Sequence, residues 1–199
     1  WSGQSWPFAT TQTLKAMANL LQHYKQNAVN AADYVKLLHI FAISHRKDGI
    51  PYLAEALNPD NGSFAGHDGY NHSEHYFHSS FNDLIITGLV GLSPRHDSTI
   101  EIAPLAPADW AYFALEDVAY RGQTLTIIWD RDGTHYGKGK GLQVWADGKR
   151  LASRQTLGKL TAKLPAAVTK KANLAAMRLN YAINNDGDNY PRLTASFTD

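Results

Sequence analysis

Between Thr10 and Tyr24 the apolar residues Leu14, Met17, Ala18, Leu20, Leu21 and Tyr24 recur every three or four positions. That spacing puts them on one face and predicts a helix, with a threonine-rich start available to cap its first turn. A second helix is written from Asn30, which stands three residues before Asp33 as an N-terminal cap, through Tyr34, Leu37, Leu38 and Phe41. His45, Arg46 and Lys47 fall in its expected last turn, where cations suit the negative end of the helix. From Lys47 to Asn71 the chain is rich in Gly, Asn, Asp and Pro and reads as a long loop. A connection of roughly 20 residues inside a compact unit is typically functional or disordered. Ser73 and Glu74 then open a third helical pattern through Tyr76, Phe77, Phe81, Leu84, Ile85 and Leu89 to Gly91.

After Pro94 the period changes from about 3.6 to 2. Ile100 and Ile102, then Tyr112 to Tyr120, Leu125 to Trp129, Leu142 to Trp145 and Leu160 to Leu164 read as strands. Turn signals at Arg121-Gly122, Asp130 to Gly133 and Asp147-Gly148 separate them, as in an antiparallel β domain. The chain is therefore expected to be segregated α+β: helices over 1–95, then an antiparallel, sandwich-like β domain over 96–199, with a tail from about 175 leading toward a further module. Three helices and one long loop make a poor core by themselves, so their neighbours are expected upstream. The opening at Trp1 and the strand-like close at Ser196 to Asp199 are read as marking a piece of a longer polypeptide.

Composition changes this picture little. With 44% hydrophobic and 19% charged residues, usage is that of a folded globular chain and excludes a disordered or collagen-like one. Net charge is +1, too little for a general nucleic-acid or membrane-surface field, although nine of the basic residues and one acid, Asp147, lie between Lys138 and Lys171. There is no cysteine, which removes disulfides, thiolate metal sites and cysteine nucleophiles. No apolar run approaches the ~20 residues of a membrane span. No nucleic-acid partner is expected, since the recognised modules are absent.

Four stretches carry candidate chemistry. Trp1-Ser-Gly-Gln-Ser-Trp6-Pro-Phe8 places two indoles just ahead of a helix, as an aromatic platform for sugar rings or as a hydrophobic staple and turn. Glu55 precedes a tight Asn58-Pro-Asp-Asn-Gly62 turn, and a carboxylate held there can accept a proton from water or be simply solvated. His67, Asp68, His72, Glu74, His75 and His78 form the densest titratable cluster, suited to sugar hydrogen bonding, to plain packing or to a metal. Its spacing matches no standard zinc signature, and no metal or cofactor is expected. Lys138-Gly-Lys-Gly141 is too short for a phosphate loop and reads as a hairpin connection, and Ser79 and Ser80 lack a nucleophile elbow.

Together, Trp1 to Thr10, Tyr52 to Gly62 and His72 to Asp83 resemble the closing part of an (α/α)6-barrel glycosidase, of the glycoside hydrolase family 63 and mannosylglycerate hydrolase-like group. In that group a Trp-x-Gly-Pro-x-Trp segment lines the sugar site, and a Glu before an Asn-Pro-x-x-Gly turn is the general base of an inverting mechanism. The resemblance implies Glu55 as base, and Trp1, Gln4, Trp6, Tyr52, His72 and His75 are the residues expected around the sugar. Trp1, Gly3 and Trp6 match the first segment. Ser2 stands where the glucosidases have Arg, and Gln4 where Pro is usual, which bears on the sugar bound. Ile102 to Trp110 and Val118 to Gly122 resemble the β domain that follows the barrel in several six-hairpin glycosidases.

The resemblance thus implies a fragment of an inverting hydrolase of α-linked glucosides or mannosides. Inversion needs two carboxyl groups roughly 6.5–9.5 Å apart, and the family acid is an Asp on an earlier part of the barrel. Its partners would be the oligosaccharide and the upstream barrel, and the chain alone would be inactive. A polysaccharide substrate and the lack of cysteine point to a secreted or periplasmic setting. The competing reading is a non-catalytic carbohydrate-binding or structural accessory module.

Overall fold

The computed structural model describes residues 3–64, 78 and 80–166, together with the backbone of two strands at 178–184 and 192–198. It divides into two compact units, Trp1–Pro165 and Ala166–Asp199.

Helix α1 (Pro7–His23) starts ahead of the periodic stretch, because proline at the first helical position already has a helical φ and lacks only an N–H that would be unpaired there. The expected threonine cap is not used. Trp6 is the capping residue and makes no side-chain cap, while Thr10, Thr11 and Thr13 donate back to the carbonyls of Trp6, Pro7 and Ala9 at 3.3, 3.0 and 3.0 Å. Helix α2 (Ala31–Ser44) begins as expected. Asn30 Oδ1 accepts from the N–H groups of Ala32 and Asp33 at 2.8 and 3.1 Å, and Asp33 Oδ2 accepts from that of Asn30 at 2.9 Å, a reciprocal capping box.

Its end corrects the expectation. Arg46 and Lys47 are not in a last helical turn but form strand β1 (Arg46–Lys47), paired antiparallel with β2 (Ile50–Pro51). Asp48 and Gly49, at φ 52° and 79°, make the tight two-residue connection that this pairing needs, and it outcompetes continuation of the helix. The stretch read as one long loop is accordingly structured at its start. Of the third helix, the portion before Ser80 lies outside the described residues apart from His78. The rest is a short α3 (Ser80–Asp83) that widens into a π-helix over Leu84–Leu89, with Val90 N–H donating to Ile85 O at 2.9 Å.

The β part forms two antiparallel sheets. One is β3 (Leu92–Ser93), β4 (Thr99–Ile102) and β9 (Leu160–Lys163) in the order β3-β4-β9. The other runs in sequence order through β5 (Tyr112–Tyr120), β6 (Gln123–Asp130), β7 (Gly141–Ala146) and β8 (Lys149–Arg154). The first and last of these, β3 and β8, have no counterpart in the period-two reading. Cross-strand pairs Leu125–Ala146, Ile127–Val144 and Trp129–Leu142 line up on one face and pack with Ile100, Ile102 and Ala162 of the first sheet in a single apolar core. Arg121-Gly122 and Asp147-Gly148 all have φ between 45° and 78°, which makes their turns the primed kind that matches strand twist.

The helical core is separate: Leu14, Ala18, Tyr34, Leu38, Phe41, Leu84 and Leu105. The stretch from α3 through the π-helix to Val90 joins the two, with Phe81, Leu84, Ile85 and Leu89 packed with the helices and Ile86 and Val90 with the sandwich. Gln22 Nε2 ties the junction by donating to the carbonyls of Thr87 and Ala103 at 2.9 and 3.0 Å. Tyr34, fully buried, donates its hydroxyl to Leu84 O at 2.8 Å, and burial pushes its ionisation well above the usual phenol value, so it stays a neutral donor. Gly88 allows this approach, since a Cβ there would land on the Tyr34 hydroxyl. In the second unit β10 (Arg178–Asn184) and β11 (Arg192–Thr198) pair antiparallel in full register. Among the described residues no helix is long and apolar enough to cross a membrane.

Candidate active site

Glu55 sits in a segment fixed on three sides. Upstream, Tyr52 N–H donates to His45 O at 3.0 Å, tying the segment to the end of α2. Downstream, Leu57 and Ser5 exchange both backbone bonds, at 2.8 and 2.9 Å, in an antiparallel bridge. This bridge brings Gln4-Ser5-Trp6 alongside Ala56-Leu57-Asn58, so that two of the stretches that stand far apart in sequence meet. Ala54, Ala56 and Leu57 are buried while Glu55 between them is half-buried. A partly shielded carboxylate on a pinned backbone is neither a freely solvated side chain nor a core residue.

The turn after Glu55 is closed by its own polar groups. Gly62 N–H donates to Asn58 O at 2.8 Å and Asn58 N–H to Ser63 O at 2.9 Å, while Asn58 Oδ1 and Asn61 Oδ1 accept from Asp60 and Ser63 N–H, each at 2.9 Å. Beneath it Phe64 is buried against Tyr52, with ring centroids 5.2 Å apart, edge to face. Lys47 Nζ stands 5.1 Å from the centroid of the Tyr52 ring.

Next to this turn a cavity of about 350 Å³ opens between the entry of α1, helix α2 and residues 57–62. Its walls combine the apolar Leu37 and Phe41 with Ser5, Thr10, Ser44 and Asp60, a mixture able to cover a sugar face and bond its hydroxyls. Glu55 does not line it but is two residues from Leu57, which does.

Two histidines stand behind the segment. His78 donates from Nε2 to Ala54 O at 2.9 Å, the peptide immediately before Glu55, and its own carbonyl accepts from Phe81 N–H at 3.0 Å at the start of α3. The His45 ring lies edge-on to it, centroids 5.6 Å apart. His45 Nδ1 bonds the Phe41 carbonyl, which assigns the proton to that nitrogen and leaves Nε2 as a buried lone pair with no hydrogen-bond partner. Burial pushes His45 below the usual imidazole value. The Phe41 bond opposes that shift, and the neighbouring His78 adds to it.

Of the residues expected around the sugar, Gln4, Trp6 and Tyr52 are half-buried; the Ser5–Leu57 bridge brings the backbone of Gln4 and Trp6 beside the Glu55 segment, and Tyr52 lies three residues before Glu55 in the same segment. Trp1, His72 and His75 lie outside the described residues, as do His67, Asp68 and Glu74. His45, expected as a helix-end cation, is the residue after the helix and packs its ring against Phe41 and His78. His78 was legible only as one member of a cluster, because its partner is a backbone carbonyl 24 positions away. Lys138-Gly-Lys-Gly141 lies in the β6–β7 connection, as expected, where Lys138 and Gly139 carbonyls accept from the buried Gln143 Nε2 at 3.2 and 2.7 Å.

The chain thus sets a helical part that carries the pinned, half-buried Glu55 ahead of a β part. Residues 1–79 match the mannosylglycerate hydrolase MGH1-like glycoside hydrolase domain, and residues 92–152 match the C-terminal domain of glycosyl hydrolase family 65. A solved structure titled "Sialidase" is 44% identical, with a TM-score of 0.77 over 81% of this chain. The chain spans 15% of the length of that relative.

Proposed function

We propose that this chain supplies the general base and part of the sugar site of an inverting hydrolase of α-linked glucosides or mannosides. The Ser5–Leu57 bridge carries the reading, because it sets the Gln4–Trp6 segment beside the Glu55 turn within the region that matches a glycoside hydrolase domain. In the step assigned to it, Glu55 takes a proton from water while the water oxygen attacks the anomeric carbon. The bond from that carbon to the leaving oxygen breaks as an acid carboxyl outside this chain protonates the leaving oxygen. The product carries the opposite anomeric configuration, and each carboxyl returns to its starting state through solvent.

The acid and the remaining barrel helices come from upstream sequence in this reading, and the chain alone turns nothing over. Helix α2 supports it by exposing Ile40 and Ile43, at 47% and 53%, on a face suited to packing against further helices. The 44%-identical sialidase relative extends the substrates worth assaying to sialosides.

The test is turnover of α-D-glucosyl and α-D-mannosyl fluoride by the full-length protein and its Glu55→Gln variant, read as fluoride release. Fluoride leaves with little help from an acid, so the assay isolates the base. A loss of about 100-fold or more in kcat with KM retained is the expected outcome. Unchanged turnover removes Glu55 from the mechanism.

A further inference from the structure

We infer that His78 is a positioning residue for Glu55, acting through the backbone of Ala54. This deepens the general-base reading and rests on it.

The geometry is specific. The His78 Nε2–H bond to Ala54 O, at 2.9 Å, fixes the peptide that leads directly into Glu55. The neighbouring anchors sit two residues downstream, at Leu57, and two residues upstream of Ala54, at Tyr52. Ala54 also takes part in a backbone bridge, and the His78 bond adds a side-chain tie to the same stretch. Ala54 itself contributes only a methyl group, buried completely. A side chain so small adds little packing of its own, so the His78 bond to the carbonyl helps set the orientation of the 54–55 peptide, and with it the direction in which the Glu55 side chain leaves the backbone.

His78 is in turn well placed to be rigid. Its carbonyl accepts from Phe81 N–H at the entry of α3, and its ring meets the edge of His45. Phe81 packs edge to face on Phe41 at 5.3 Å, inside the helical core. A line of contacts therefore runs from that core through Phe81 and His78 to the peptide before the carboxylate. A base must keep its oxygen within hydrogen-bond reach of one water, and displacement of the order of 1 Å costs about 100-fold in rate in comparable cases. Losing the Ala54 anchor is expected to reduce kcat while leaving ground-state sugar contacts, and hence KM, in place.

Three variants of the full-length protein test this, with α-D-glucosyl fluoride and α-D-mannosyl fluoride as probes and kcat normalised to the folded fraction from circular dichroism. His78→Gln places an amide N–H close to where Nε2 stands and should keep kcat within about threefold. His78→Asn keeps a polar side chain but falls short of Ala54 O, and His78→Leu keeps bulk without a donor. Both should lose about 10- to 100-fold in kcat with KM within about threefold. Wild-type kcat in either, or an equal loss in all three, overturns the assignment. Should Asn and Leu fail to fold, His78→Gln decides alone: near wild-type kcat supports the bond, and a loss beyond about 30-fold overturns it. Glu55→Gln separates the two levels. If it leaves turnover intact the base reading itself falls, whereas a loss there with no effect at His78 removes only the positioning role.

Discussion

The two halves of the first unit bury their apolar side chains in different ways. In the sandwich, Leu125, Ile127, Trp129, Leu142 and Val144 of one sheet close against Ile100 and Ile102 of the other, and the core is covered on both sides. In the helical half, Leu14, Tyr34, Leu38 and Phe41 are equally buried, yet the same helices expose Phe8 at 61% and Ile43 at 53%. Two sheets satisfy one another, since each offers one apolar face, whereas helices arranged in a single layer have an inner and an outer side. The carboxylate therefore sits in the half whose apolar surface is incompletely covered, while the β half closes its core between its own two sheets.

That contrast breaks most readily under core truncation. Ile127→Ala in this chain is expected to lower unfolding free energy by about 2–5 kcal/mol, measured by urea denaturation followed at the sandwich tryptophans. Ile43→Ala on the exposed helix face should stay within about 0.5 kcal/mol in the same experiment. In the full-length protein, the cost of Ile43→Ala should rise if further helices cover that face. Equal costs for the two variants in the isolated chain would erase the difference between the halves.

The junction between the halves gives a smaller effect of a different origin. Gly88→Ala drives a methyl group into the Tyr34 hydroxyl and should cost about 1–3 kcal/mol by overpacking. Tyr34→Phe removes the nearest clashing atom, leaving ring carbon Cζ 2.7 Å from the added Cβ, and strands the Leu84 carbonyl, so it too destabilises by about 1–3 kcal/mol when made alone. Made together, the two changes should cost less than their sum, and a double-mutant cycle that shows simple additivity would place the strain elsewhere.

Smaller again is the local capping effect. Asn30→Ala removes acceptors for two N–H groups at the start of α2 and should cost about 1 kcal/mol, read from the midpoint of the same urea curves. This cap was fully legible in sequence, as were the Asp147-Gly148 turn and the bounds of β5, because each rests on residues within a few positions of one another. The end of α2 was not, since the cations at 45–47 suit a helix terminus while the choice was made by the Asp48-Gly49 turn that follows. The π-helix was equally hidden: its apolar spacing fits a helix, but Tyr34 bonding Leu84 O from 50 residues away is what accompanies the widened turn. For the candidate site, Glu55 and Trp6 stood out from residues alone, but the Ser5–Leu57 bridge is a long-range backbone pairing and the His78 contact runs from a side chain to a carbonyl 24 positions away, neither of which sequence spacing displays.

The least of these effects concerns pH and falls on the boundary that carries the site. Burial holds His45 below the ordinary imidazole value of 6.5, so the folded chain keeps this ring neutral where the unfolded chain protonates it. The unfolded state binds the extra proton, and stability is therefore complete above about pH 6.5 and falls as pH drops through the folded value. The carboxylates act in a lower window. Asp97, held at about 2 by the N–H and hydroxyl of Thr99, begins to lose its contribution only as pH falls through the ordinary carboxylate value of 3.8. Asp130, where burial would raise the value but the N–H groups of Tyr136, His135 and Gly133 outweigh it, is likewise held below the ordinary carboxylate value. A decline in unfolding free energy between pH 7 and 5.5 is thus the portion that His45 explains. His45→Asn keeps a donor for the Phe41 carbonyl but cannot charge, and it should flatten that portion while leaving the acid limb below pH 4 intact. An unchanged slope between pH 7 and 5.5 in this variant would move the proton uptake to another group and leave the buried Nε2 of His45 without a role in acid sensitivity.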